Sequence, residues 1–214
     1  MIAQKHIDHF IKTAHYAGNL GLVQCSSGNL SYRVGDKMLV SATGSWLSKI
    51  RENQIAIIDL QNQTFLNNVK PSMEWGFHIG VMKQRHDVNV VLHFQSPYAT
   101  SLACATTIPE NFNLTAEIPC HIGDKVAVVL FLMPGSPELA QAVTKALAQH
   151  DACLLRQHGQ VVCAATLEQA IEKAVFFEMA CRIMLQTNLN YNTLTEKEVG
   201  EIKTHLLRRE AVES

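Results

Sequence analysis

No stretch of this chain approaches the ~18 consecutive apolar residues that cross a bilayer, so nothing in it reads as a membrane span. The residues from Met1 to His9 have no apolar run of the kind that opens a secretory leader. No sign of charge dominates: 18 Lys and Arg stand against 19 Asp and Glu, for a net charge of -1. That balance leaves no electrostatic footprint for nucleic acid or an anionic membrane. The six cysteines (Cys25, Cys104, Cys120, Cys153, Cys163, Cys181) include no Cys-x-x-Cys pair. Without a leader they read as buried, reduced thiols and not as disulfides or metal ligands, and the expected location is cytoplasmic. Internal repeats, low-complexity segments and linkers are also missing, so residues 1–214 read as a single domain.

What is present suits a sizeable core, with 47% hydrophobic and 17% charged residues. Ile7, Phe10, Ile11, Ala14 and Ala17 recur at helical spacing, which predicts an amphipathic helix from Ile2 to Asn19. Leu30–Val34 and Met38–Ser41 alternate as strands around a Gly35-Asp36 turn. Further strands are predicted at Gln54–Leu60, Val88–Phe94, Lys125–Phe131, Ala152–Leu155 and Gln160–Ala164. Helices are predicted to start at Pro71-Ser72 with Ser72 as cap, at Pro97, at Ser136-Pro137, at Thr166 and at Thr195. Strands and helices alternate, but hairpin-like strand pairs interrupt the alternation. The expected fold is therefore a layered α/β domain whose sheet is mixed or largely antiparallel.

Three turns are rich in small residues: Ser26-Ser27-Gly28-Asn29, Ala42-Thr43-Gly44-Ser45 and Lys70-Pro71-Ser72. Glycine admits close approach of a ligand to the backbone, and exposed N–H groups and hydroxyls suit an anion. Taken singly, each turn reads equally as an ordinary connection. The run Val88–Leu92 leads into His93-Phe94-Gln95-Ser96-Pro97, and on a strand His93 and Gln95 would project from one face. His-x-His would be half of a metal site; this chain has His-x-Gln. Glu74, His78, His93, Gln95 and His158 are candidate ligands, each at an element end or on a helix face. A mixed His and carboxylate set with an open position is what catalytic zinc requires. On spacing alone the same residues also read as structural or solvated groups.

Taken in order, Ser26–Ser31, Ser41-Ala42-Thr43-Gly44, Lys70–Trp75, His93–Thr100 and Gln157-His158-Gly159 resemble the class II aldolase/adducin family over residues 5–190. The Glu-Trp-x-Phe-His run at Glu74–His78 is similar to that of the bacterial members that act on L-fuculose 1-phosphate. The resemblance implies a single three-layer α-β-α domain with a central, largely antiparallel sheet. It implies a homotetramer with sites at subunit interfaces. It further implies a zinc ion, or another divalent metal, at the positions of Glu74, His93, Gln95 and His158. A phosphate pocket is implied at Gly28, Asn29, Thr43, Gly44 and Ser72.

The implied reaction cleaves L-fuculose 1-phosphate, or a similar ketose 1-phosphate, to dihydroxyacetone phosphate and an aldehyde. A metal Lewis acid would stabilise the resulting enediolate, and Glu74 would move the proton on its carbon. Gln95 stands where relatives have a histidine, and an amide oxygen is a poorer zinc donor than imidazole. No tyrosine lies near Phe112-Asn113, where the family's proton donor is expected, or in the tail after Tyr191. Met73 replaces a second phosphate-binding serine. The same metal motif also serves epimerases and dehydratases, and loss of a ligand and a tyrosine would also suit a non-catalytic, adducin-like relative.

Overall fold

The computed structural model describes residues 2–213. Its elements run, in chain order, α1 (Gln4–Asn19), β1 (Asn29–Val34), β2 (Lys37–Ser41), β3 (Ile55–Asp59), α2 (Trp75–Gln84), β4 (Val90–Phe94) and α3 (Pro97–Ala103). They continue with β5 (Ala127–Val129), α4 (Pro137–Ala146), β6 (Ala152–Leu155), β7 (Gly159–Ala164), α5 (Leu167–Gln186) and α6 (Glu196–Glu213). The strands form one seven-stranded sheet in the order β3-β2-β1-β4-β7-β6-β5. Only β5 and β6 pair in parallel, so the sheet is mixed and largely antiparallel. Among the described residues no helix is long and apolar enough to cross a membrane.

Strand β4 sits at the centre, between β1 and β7, and all five of its residues are buried. Successive side chains leave a strand on opposite faces, and β4 divides the core accordingly. Val90, Leu92 and Phe94 join a cluster with Phe10 and Ala14 of α1, Leu102 of α3 and Ala174 and Phe177 of α5. Val91 joins a second cluster with Phe77 and Met82 of α2, Leu139 and Val143 of α4, and Met38 and Val40 of β2. Burying a side chain of this size is worth roughly 1.5–3 kcal/mol, so helices are held on both faces by the alternation itself. His93 shares the face of Val91 and points toward α2.

Several predicted boundaries move, among them Ile2 to Gln4 at α1 and Val88 to Val90 at β4, and two of the changes have a clear physical cause. The helix expected from Pro71-Ser72 begins at Trp75. Pro71 bridges Ala42, the Ser72 N–H donates to the Ser41 carbonyl at 2.9 Å, and the Thr43 N–H donates to the Lys70 carbonyl at 3.1 Å. That pairing keeps 70–72 extended, and Ser72 serves Glu74 through a turn, its Oγ accepting the Glu74 N–H at 3.3 Å. The strand expected over Lys125–Phe131 shrinks to Ala127–Val129, because β5 is an edge strand with one partner and its outer residues are exposed.

Two charged groups tie distant elements together. Glu178 of α5 accepts the Ser96 hydroxyl at 2.6 Å and the N–H groups of Tyr98 and Ala99, both at 2.8 Å. A carboxylate from α5 thereby caps α3 and satisfies donors that the helix itself cannot. At the other end of the sheet Asp151 pairs with Arg85 at 2.5 Å and with Lys173. This links the end of α2, the start of β6 and α5.

Candidate metal centre

Glu74, His93 and His158 come from three separate elements and meet at one end of the sheet. A ligand atom from each lies within 4.8 Å of the other two. Glu74 Oε2 is 3.5 Å from His93 Nε2, and Glu74 Oε1 is 3.4 Å from His158 Nε2. The imidazole centroids of His93 and His158 are 4.9 Å apart.

Local backbone chemistry sets each position. His93 occupies the penultimate position of β4, and its Nδ1–H donates to the Gln160 carbonyl of β7 at 2.9 Å. This bond places the proton on Nδ1 and frees the Nε2 lone pair for a cation. His158 lies in the turn between β6 and β7, after Gln157 at φ 55 in the left-handed region. The Gln157 N–H donates to the Ala103 carbonyl at 3.1 Å and holds that conformation. Gly159 is required here: a Cβ would lie 2.7 Å from the Phe94 carbonyl, 2.8 Å from Gln95 Cγ and 3.0 Å from His93 Cε1. Burial, then the nearby His93, push the His158 imidazole down to about 4, against the attraction of Glu74. Its neutral form is therefore the one present at neutral pH.

The donor set fits a divalent metal. Glu74 is 7% exposed, and its buried Oε1 has no hydrogen-bond partner among the described residues. Leaving a charged oxygen so placed is costly unless a cation takes it. One carboxylate and two imidazoles make a donor set that a divalent metal can take.

Gln95 lies just past β4, with its side chain against Gly159 and its N–H donated to the Leu22 carbonyl at 3.1 Å. His78 stays out of the cluster. It is fully buried, with Nε2 2.5 Å from Asn29 Oδ1 and Nδ1 2.7 Å from Ser31 Oγ. Asn29 donates one N–H to Glu74 Oε2 at 2.9 Å. The residue types alone gave no sign of the Asn29–Glu74 and Ser31–His78 contacts. The Asn-x-Ser spacing at the start of β1, which sends both side chains to one face, was the available signal.

The three small-residue turns adjoin one another. The Leu30 N–H, next to Asn29, donates to Ser41 Oγ at 3.1 Å, and the Ala42–Pro71 bridge joins the second turn to the third. Gly28 lets the first turn close on β4, since a Cβ would stand 2.8 Å from the His93 carbonyl. Thr43, Gly44 and Lys70 are exposed beside the buried Ser72. Phe112, near which the family resemblance places a tyrosine, is buried and stacks on Phe177 with centroids 5.6 Å apart. A cavity of about 330 Å³ opens at the starts of α2 and α4, bordered by Met73, Glu74, Trp75, Phe77 and Leu139.

Comparison with known proteins agrees with this architecture. Residues 8–185 match the family model of the class II aldolase and adducin N-terminal domain. The 5-methylthioribulose-1-phosphate/5-deoxyribulose-1-phosphate aldolase of Rhodospirillum rubrum is 34% identical over 178 residues, 83% of this chain and 78% of that protein. The 3-oxo-tetronate 4-phosphate decarboxylase of Haemophilus influenzae is 28% identical over 181 residues, 83% of this chain and 86% of that protein. A solved structure of L-fuculose 1-phosphate aldolase matches with a TM-score of 0.86 at 26% identity, covering 94% of this chain and 96% of that one. The chain belongs to the class II aldolase and adducin N-terminal domain family.

Proposed function

We propose that this protein cleaves a ketose 1-phosphate, L-fuculose 1-phosphate or a close relative, to dihydroxyacetone phosphate and an aldehyde. The chain is a metal-dependent aldehyde-lyase by family, and the reading adds the substrate, zinc and residue roles. It is carried by one observation: a buried Glu74 carboxylate set between two imidazoles, with Oε1 unpartnered among the described residues. Glu74, His93 and His158 would hold zinc or another divalent ion, with Gln95 as a weak fourth ligand or a donor to substrate. Bound there, the ion supplies Lewis acidity for the negative charge that develops on the ketone oxygen.

The remaining chemistry belongs to the chain. Cleavage breaks the C3–C4 bond: the C4 hydroxyl proton passes to solvent water, C4 becomes the aldehyde carbon and the electron pair of the broken bond stays on the C3 side. A proton added at C3 completes dihydroxyacetone phosphate. Glu74 is the base and acid at C3. Gly28, Asn29, Thr43, Gly44 and Ser72 bind the phosphate, so binding energy far from C3 orients it. The second N–H of the Asn29 amide and the hydroxyls of Thr43 and Ser72 are the donors, and Lys70 adds charge.

The apolar border of the cavity beside Glu74 supports a sugar ending in a methyl or methylthio group over one ending in a carboxylate. We read the domain as three layers, helices on either side of the sheet, supported by the two apolar clusters. We also read a cytoplasmic homotetramer with sites between subunits. The exposed Val128, Leu130, Phe131 and Met133 at the β5 edge support a subunit contact there.

The test is a coupled assay for dihydroxyacetone phosphate with L-fuculose 1-phosphate, 5-methylthioribulose 1-phosphate and 5-deoxyribulose 1-phosphate. Release that requires zinc is expected. Glu74→Gln should lower kcat by about 10²–10⁴-fold while binding of a phosphate ligand is largely kept. Metal bound with no cleavage of any of the three would replace the aldolase reading with epimerase or dehydratase.

A further inference from the structure

His78 is a polar side chain buried completely beside the cluster. It is 0% exposed, stacked on Phe77 with ring centroids 4.5 Å apart, and surrounded by the apolar contacts of α2 and β4. A leucine would fill such a space without the penalty of burying two ring nitrogens. Both nitrogens are used: Nδ1 meets Ser31 Oγ at 2.7 Å and Nε2 meets Asn29 Oδ1 at 2.5 Å.

The second contact reaches the metal-binding carboxylate through one residue. An asparagine amide has nearly the same shape in its two orientations, but they differ chemically. In the orientation seen, Nδ2 donates to Glu74 Oε2 at 2.9 Å and Oδ1 faces His78. Turned over, the amide would set Oδ1 against the Glu74 carboxylate, two acceptors with no proton between them. Only a ring with hydrogen on Nε2 favours the first orientation, because Oδ1 then receives an N–H. Ser31 can complete this arrangement by donating its hydroxyl hydrogen to Nδ1.

We propose that His78 is a positioning residue for Glu74: its Nε2–H fixes the Asn29 amide, and the amide fixes the carboxylate with Oε2 held and Oε1 turned to His158. The inference rests on the metal and proton roles proposed for Glu74. The ring works as a neutral donor. Burial and then His93 bring its pKa down to about 3, against the Val91 carbonyl, so the imidazole carries one hydrogen across the working pH range.

Two measurements test it without relying on turnover. The first is ¹⁵N NMR of histidine-labelled, metal-free protein. The hydrogen is expected on Nε2 of His78; a hydrogen on Nδ1, shared with Ser31 or the Val91 carbonyl, overturns the proposal. The second is zinc affinity by calorimetry in His78→Gln and His78→Leu. Glutamine can place an N–H near the Nε2 position, whereas leucine fills the space and donates nothing. His78→Leu is expected to weaken zinc at least about tenfold, the scale on which partners of metal ligands act. His78→Gln should stay within about threefold of the parent protein on the same scale. Equal losses in the two variants, or none in either, would show a packing role only. If His78→Leu does not fold, the NMR result decides alone. Absence of dihydroxyacetone phosphate release from the parent protein would sink the aldolase reading and leave both measurements standing.

Discussion

His158 Nε2 stands 3.4 Å from Glu74 Oε1, an oxygen that is buried and accepts no hydrogen bond among the described residues. Two groups this close, both shielded from water, are arranged for a third.

Zinc should therefore raise the thermal midpoint of the metal-free protein. At a hundred times its dissociation constant a ligand adds about 2.7 kcal/mol to stability. Differential scanning fluorimetry should show the shift in the parent protein and its loss in His158→Ala. An equal shift in both would mean that zinc binds elsewhere.

Gln95→His would restore the His-x-His pattern at the end of β4. Zinc affinity is expected to rise by about tenfold or more, equivalent to about 1.4 kcal/mol, because imidazole is the better donor. Unchanged affinity in a calorimetric titration would place the Gln95 side chain outside the metal's reach.

Asp151 answers two cations, with Arg85 at 2.5 Å and Lys173 on its other oxygen. Burial opposes the charge on Arg85, yet its hydrogen bond to Asp87 and then that to Asp151 raise its pKa above the usual value. Asp151→Asn leaves Lys173, 8% exposed, with a neutral partner. Asp151 is itself partly open to water, which screens the pair. A loss of about 1–3 kcal/mol in urea-induced unfolding is expected, below the range for fully buried pairs. Metal affinity should be unaltered, since the cluster lies at the other end of the sheet. A change in zinc binding with intact stability would refute this separation.

Thiol chemistry should follow burial. The expectation of six buried thiols holds for Cys153, Cys163 and Cys181, whereas Cys120 is half-buried and Cys25 and Cys104, in a turn and at the end of α3, are exposed. Burial pushes the Cys163 thiol up to about 12, and it also raises those of Cys153 and Cys181. Raising a thiol pKa removes thiolate at every pH below it, and the thiolate is the reactive form. Alkylation at pH 8 is expected to label Cys25 and Cys104 first and to spare the buried three until the protein unfolds. Mass spectrometry after timed quenching checks the order, and early label on Cys163 would contradict it.

Much of this architecture is legible from residue order. The alternation of β1 and β2, the apolar run of β4 and the apolar spacing of α1 act within a few residues, where sequence speaks directly. The helices expected to open at Ser136-Pro137 and Thr166 also formed as read, and the structure adds that each hydroxyl caps its helix by accepting an N–H three residues on. The start of α2 did not, because its geometry depends on Ser41 and Ala42, about 30 residues earlier. The junction of the three turns is hidden for the same reason. Ser31 reads as one more polar residue in a strand until α2 is laid across it. The gathering of Glu74, His93 and His158 was suggested by resemblance, whereas the sequence spacing left it undecided.

The acceptor that orients His93 is the Gln160 carbonyl, part of the main chain. Every amino acid supplies that oxygen, so substitution at position 160 leaves it in place as long as β4 and β7 stay paired. The protonation pattern of His93 is thus inherited from strand register and not from any side chain. A change of side chain at position 160 keeps that acceptor, while a one-residue slip between β4 and β7 would remove it with Glu74, His93 and His158 all still present.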